Sequence, residues 1–173
     1  MTTTLYENIT EDVINSTKEI FSTMIPIEIK TEASFYQNEA MISTDVMSLV
    51  SFTGEHSGIV AVFCSKEIAL KITSSMLGME ITEFNQDTKD AIGEVTNMIA
   101  GSLKNRVSDT FGAMHLSVPI VIAGADLTIS SSSGDSVKIT PSVTYNSQNS
   151  WLMTPFSSNG QNFNVGLIVK KND

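Results

Sequence analysis

The sequence predicts a two-layer α+β domain in which two long helices and a short one pack on a largely antiparallel sheet. Three observations predict it. Apolar residues recur with the helical period over 8–25 and 88–110, period-two alternation fills most of the remaining chain, and the two halves carry a diffuse repeat. A chain of 173 residues that is 41% hydrophobic can bury a continuous core as one domain, 1–173, without disulfides or metals.

Over 8–25, Ile9, Val13, Thr17, Ile20 and Met24 share one stripe, with Glu11, Asn15, Glu19 and Ser22 opposite, and Pro26 ends the helix. Residues 27–36 and 39–52 alternate and are expected to pair as a hairpin around Gln37-Asn38. Gly54–Gly58 is a second turn, followed by a strand at 59–64 and a short helix from Lys66 to Met76 that Gly78 closes. The second long helix starts at Asp87 as N-cap, runs to Thr110 and stops at Gly112. Strands follow at 117–129, 136–145, 150–156 and 162–170, separated by Ser130–Asp135 and Ser157–Gly160, which read as loops within the domain.

The repeat lays Asp12-Val-Ile-Asn15 over Glu94-Val-Thr-Asn97, each on a long helix followed by strands. It also lays the strand–turn–strand of 49–63 over that of 152–169. Two long helices in equivalent positions on one sheet give a pseudo-twofold domain.

Composition excludes several function classes. The formal charge is −9 and Arg106 is the sole arginine, so no basic stripe exists to displace phosphate counterions from nucleic acid. Fourteen of the nineteen acids fall in residues 1–90, which sets the front half against an anionic membrane. The N-terminus lacks the basic and apolar regions of a leader, and no stretch approaches about 18 apolar residues. Cys64, the lone cysteine, lies in the apolar run 59–64 and reads as core, which fits a reducing, cytoplasmic setting.

Other candidates read as structural. His56 lies in a Gly-flanked turn and His115 at a strand start, with no carboxylate at ligand spacing, so surface or capping roles are expected and no metal site. The methionines sit mostly at apolar positions, and Trp151 and Phe156 read as core, with an interface as the alternative.

One helix face asks for an explanation. On 88–110, Ile92, Val95, Met98, Ile99, Leu103 and Val107 form the apolar arc, while Asp90, Glu94, Asn97, Gly101, Lys104 and Ser108 gather opposite. A mid-helix glycine costs about 0.5–1 kcal/mol relative to alanine, and on a solvated face no packing offsets it. A glycine beside an acid and an amide would let another molecule lie close to the helix. On spacing alone, the same residues also suit an ordinary solvated face that tolerates Gly101. An amide exchanges no proton near neutral pH, and Glu94 has no nearby base or nucleophile in the pattern, so a self-contained active site is not expected.

The segment Asp90-Ala-Ile-Gly-Glu94-Val-Thr-Asn97-Met-Ile-Ala-Gly101, with its Glu-x-x-Asn-x-x-x-Gly pattern, resembles the CheX/CheC chemotaxis phosphatases. The order of helices and strands agrees over nearly the whole chain, and the resemblance is nearer to CheX because one copy of the motif is intact. It implies a CheC-like fold and a phosphatase that dephosphorylates a CheY-type receiver domain. By motif match, Glu94 would bind the receiver's active-site lysine and Asn97 would orient the attacking water; Asp90, Gly101 and Lys104, on the same polar face, are expected at the docking surface. Mg²⁺ would sit on the receiver's own carboxylates, and no cofactor would be bound by this chain. A homodimer is also implied as possible.

The first-half copy departs from the pattern. Asp12 is one methylene shorter than Glu, and Glu19 stands where Gly101 stands, so Asp12 and Asn15 read as a degenerate second site. Related domains in flagellar switch proteins serve as assembly parts, so a non-catalytic interaction module is the alternative function.

Overall fold

The computed structural model describes residues 2–37, 42–132, 136–139, 143–146 and 151–172. Helix α1 (Thr2–Thr23) is followed by two short strands, β1 (Lys30–Thr31) and β2 (Phe35–Gln37), and by the hairpin β3 (Ile42–Gly54) and β4 (His56–Cys64). Helices α2 (Lys66–Leu77) and α3 (Gln86–Phe111) come next. Strands β5 (Met114–Leu116), β6 (Ile120–Ser132), β7 (Ser136–Ile139), β8 (Val143–Asn146), β9 (Trp151–Ser158) and β10 (Gln161–Lys171) complete the chain.

The main sheet runs β1-β9-β10-β4-β3-β6-β7-β8, with β2 also on β9 and β5 also on β3, and every pairing is antiparallel. Its centre is the repeat made visible. The hairpins β3–β4 and β9–β10 meet through β4 and β10, where Ala61 lies opposite Gly166 and Val62 opposite Val165. The order β9-β10-β4-β3 is thus symmetric about that junction, and α1 packs against α3 above it.

Period-two alternation divides the strands between two apolar clusters. Val46, Val50, Val60, Val62, Phe163, Val165 and Leu167 face the helices, where they meet Ile9, Val13 and Phe21 of α1, Ile68 and Ile72 of α2, and Ile92, Val95, Ile99, Leu103 and Val107 of α3. The alternate residues Met47, Leu49, Ile59, Ala61, Phe63, Trp151, Met153 and Ile168 form a second buried cluster on the other face. Both faces of the central strands are therefore apolar, which is why 59–64 reads as an unbroken hydrophobic run. Trp151 and Phe156 are both core, as expected. Cys64 is buried, and burial pushes its thiol up to about 12.

Local chemistry sets the helix ends. Ser65 caps α2, its side chain accepting from the Ile68 N–H at 3.2 Å, and Gly78 ends it in the left-handed region at φ 66°. Helix α3 begins two residues earlier than expected, because Asn85 and not Asp87 is the N-cap. The Asn85 amide oxygen accepts from the Thr88 N–H at 3.1 Å, and the Thr88 hydroxyl accepts from the Asn85 N–H, a reciprocal capping box. Asp87 sits in the first turn, where its charge suits the helix dipole.

Several expected elements are corrected. Helix α1 ends at Thr23, so Met24 leaves the helical stripe and is 54% exposed, while Phe21 and Ile25 take the core positions. Among the described residues, 27–36 do not pair with 42–52 as the expected hairpin requires. Lys30 lies opposite Ser157 and Phe35 opposite Met153, because both edges of β3 are already taken by β4 on one side and by β5 and β6 on the other. The strand expected at 117–129 begins at Ile120 and extends through Ser132, and its residues Ser130–Ser132 pair with β7 and so are not loop. In place of one strand over 136–145, Ser136–Ile139 and Val143–Asn146 are two short strands paired with each other. Asn38 of the expected turn, residues 133–135 of the serine tract and residues 140–142 lie outside the described residues.

Candidate functional site

Helix α3 presents the polar face that its sequence predicts. Asp90 and Glu94 are exposed, and Asn97, Gly101 and Lys104 are half-buried along the same ridge. Residues three and four apart are neighbours on a helix surface, so Glu94, Asn97 and Gly101 form one continuous strip. The Gln86 side-chain amide donates to Asp90 Oδ1 at 2.7 Å and holds that carboxylate at the head of the strip. Among the described residues, neither Glu94 nor Asn97 has a hydrogen-bond or ion-pair partner within the chain. Their carboxylate and carboxamide are free to meet another molecule.

Two glycines on α3 have opposite reasons. A methyl group at Gly93 would lie 3.3 Å from Val121 Cγ2 and 3.5 Å from Pro119 Cγ, so this buried glycine seats the 119–121 segment against the helix flank. A methyl group at Gly101 would meet nothing within 4 Å. No internal packing asks for Gly101, and the space beside it is open. The role of Gly93 is hidden in the sequence because its requirement is tertiary; the eight-residue spacing of two glycines in one helix is the signal that could have found it.

The segment beneath this flank is braced. The Ser117 N–H donates to Ser51 O at 2.8 Å, and the Ser117 hydroxyl accepts from the Ser51 N–H at 3.0 Å while donating to Val118 O at 2.9 Å. At the far end of α3, His56 Nδ1–H donates to Phe111 O at 3.1 Å and its ring packs 4.5 Å from that of Phe111, the capping role expected for it. His115 is exposed on β5.

The first-half copy is arranged differently. Asp12 and Asn15 are half-buried on α1, and burial raises the Asp12 carboxyl against the opposing pull of Arg106. Glu19 Oε2 accepts from the Ser102 hydroxyl at 2.7 Å and from Arg106 at 2.8 Å, and these contacts lower its pKa, the Ser102 hydrogen bond most. The position matching Gly101 is thus filled by a side chain that ties α1 to α3. Arg106, near Asp12, is twelve residues beyond Glu94, roughly 18 Å along the helix, so the structure does not bring the two acid–amide pairs into one site. This cross-helix tie was not anticipated from sequence, although a lone arginine on a helix was its available signal.

Among the described residues, no group of three His, Cys, Asp or Glu could hold a metal ion, and no helix is long and apolar enough to cross a membrane.

A pseudo-twofold antiparallel sheet carrying two long helices is the CheC-like fold. The crystal structure of the chemotaxis protein CheX from Desulfovibrio desulfuricans superposes with a TM-score of 0.78 at 28% identity, covering 94% of this chain and 99% of that one. The Borrelia burgdorferi CheX–CheY–BeF3–Mg²⁺ complex contains a chain of the same fold, with a TM-score of 0.68 at 20% identity over 93% of this chain and 97% of that one. The family model for the chemotaxis phosphatase CheX matches residues 46–142. The CheY-P phosphatase CheX of Thermotoga maritima is 31% identical over 120 residues, 69% of this chain and 77% of that protein. The chain belongs to the CheX family of chemotaxis phosphatases.

Proposed function

We propose that this chain, acting as one domain over 1–173 in the cytoplasm, accelerates hydrolysis of the aspartyl-phosphate on a CheY-type receiver domain. The observation that carries this reading is the pair of unpartnered groups, Glu94 and Asn97, on a capped helix beside the open space at Gly101. In the reaction, water attacks phosphorus and the bond from phosphorus to the receiver's aspartate oxygen breaks, giving the carboxylate and inorganic phosphate. The Asn97 carboxamide oxygen accepts a hydrogen bond from the water and sets it in line with the departing carboxylate. Glu94 accepts from the receiver's active-site lysine and fixes the docking register. Mg²⁺, held by the receiver's carboxylates, neutralises developing charge, so positioning is what this chain adds. Family membership supports the partner, as does the Borrelia burgdorferi complex, in which a CheX is bound with CheY, BeF3 and Mg²⁺. Asp12 and Asn15 form no second catalytic site, since Glu19 blocks the approach that Gly101 leaves open.

The test mixes catalytic amounts of the protein with a CheY-type receiver phosphorylated in the presence of Mg²⁺ and follows phosphate release. Acceleration is expected, and Asn97→Ala should reduce it by about 100-fold or more with an unchanged unfolding midpoint, because the side chain has no partner in the chain to lose. Binding without acceleration would assign the helix face to a non-catalytic interaction module.

A further inference from the structure

We infer that Lys104 is a second docking point of α3, a positioning residue that reads the anionic rim around the receiver's phosphorylated aspartate; this rests on the receiver-phosphatase reading above. Seven residues separate Asn97 from Lys104, so the two side chains leave the helix roughly 20° apart and roughly 10 Å apart along its axis, with Ala100 and Gly101 between them. Side chains on a helix lean toward its N-terminus, which carries the Lys104 stem back toward Asn97. That stem lies along an apolar crevice lined by Ile9, Ala100, Leu103 and Val107. The methylenes are therefore held by packing while the ammonium is left over. Among the described residues the ammonium has no ion-pair or hydrogen-bond partner; Arg106, two residues on and on the other side of the helix, is the cation spent on Glu19.

The ridge is in consequence bipolar. Asp87, Asp90 and Glu94 occupy its first half, and beyond the gap at Gly101 the half-buried Lys104 carries the charge on that face, while the exposed Asp109 lies roughly 140° round the helix from it. A receiver site offers the complementary pair, a cationic lysine on one side and, on the other, the carboxylates and phosphate that surround Mg²⁺. A pre-placed cation two turns past Asn97 lets the ridge accept that pair in one orientation only. Oppositely signed charges at the two ends of an interface fix register and speed encounter more than they add affinity.

The experiment measures the dissociation constant for a receiver domain activated with beryllofluoride and Mg²⁺, at several salt concentrations, for the wild type, Lys104→Met, Lys104→Arg and Lys89→Met. Lys104→Met keeps the stem and removes the charge. It is expected to weaken binding about tenfold at low salt, with a flatter salt dependence and an unchanged unfolding midpoint, while Lys104→Arg retains most of the binding and Lys89→Met retains the wild-type value. Wild-type affinity and salt slope in Lys104→Met would overturn the inference, as would an equal loss in Lys89→Met, which would mark a general charge effect. Phosphate release assayed in parallel keeps the two readings apart. Loss of salt-sensitive binding in Lys104→Met with a wild type that binds but does not accelerate release would keep Lys104 as a docking residue and reject the phosphatase reading. A wild type that does not bind the receiver rejects both.

Discussion

Gly101 carries a cost that the chain itself gives no reason to bear. Alanine there would fit without contact and recover the helix propensity that glycine forgoes, so Gly101→Ala should stabilise the fold by about 0.5–1 kcal/mol. The same methyl would stand in the space a docked receiver needs, and catalytic efficiency on the phosphorylated receiver should fall several-fold through KM. Urea unfolding and steady-state phosphate release on one preparation check both halves; a variant that is more stable and equally active would return Gly101 to an ordinary solvated position. Glu94, Asn97 and Gly101 were legible because helical periodicity alone puts them on one face. Gly93 was not, because Pro119 and Val121, which require it, are 26 and 28 residues further along the chain.

The two long helices are joined by a polar tie at the position where their repeat diverges. Glu19 has a folded-state pKa below its ordinary 4.5, so the tie's contribution is fully present above that value and is lost as pH falls through the lower, folded one. Asp12 works in the opposite sense, since its raised pKa means that protonation relieves a buried charge. Removing the tie should therefore flatten the acid limb of stability: in Glu19→Gln the urea midpoint should fall less between pH 5 and about pH 3 than in the wild type, starting from a lower value at pH 7. An identical acid limb would show that Glu19 is solvated in solution. At this scale α2 and α3 were legible to within two residues at their starts and one at their ends, while α1 begins six residues before its apolar stripe and ends two before its expected stop. The pairing of 27–36 was not, because adjacency in sequence favours a hairpin while the choice between β3 and β9 depends on which edges later strands leave open.

The whole molecule was legible as an architecture through its repeat. Strand–turn–strand units recurring in both halves imply two hairpins, and they meet at β4 and β10 as symmetry requires. The second apolar cluster was less so, since strands that are apolar on both faces lose the alternation that distinguishes inside from outside. Gly166 shows how closely that cluster is filled. A methyl there would lie 2.8 Å from both Phe63 Cε2 and Trp151 Cε3, whose rings meet edge to face at 5.6 Å. Gly166→Ala should destabilise the protein by about 1–3 kcal/mol without changing phosphate release at temperatures where it is folded. A neutral effect on the urea midpoint would mean that the aromatic pair can move aside.

The β4–β10 junction also fixes the order in which the fold can be assembled. Ala61 and Gly166 face each other across it although 105 positions separate them in sequence, whereas each flanking hairpin closes over a short turn. Bringing such distant residues together costs on the order of 4 kcal/mol in chain entropy, so the hairpins are expected to form before the junction. Helix α3 lies within the segment that this closure encloses. The sheet that seats the helix of Asn97 is therefore completed only by long-range pairing, here and where β1 and β2 meet β9.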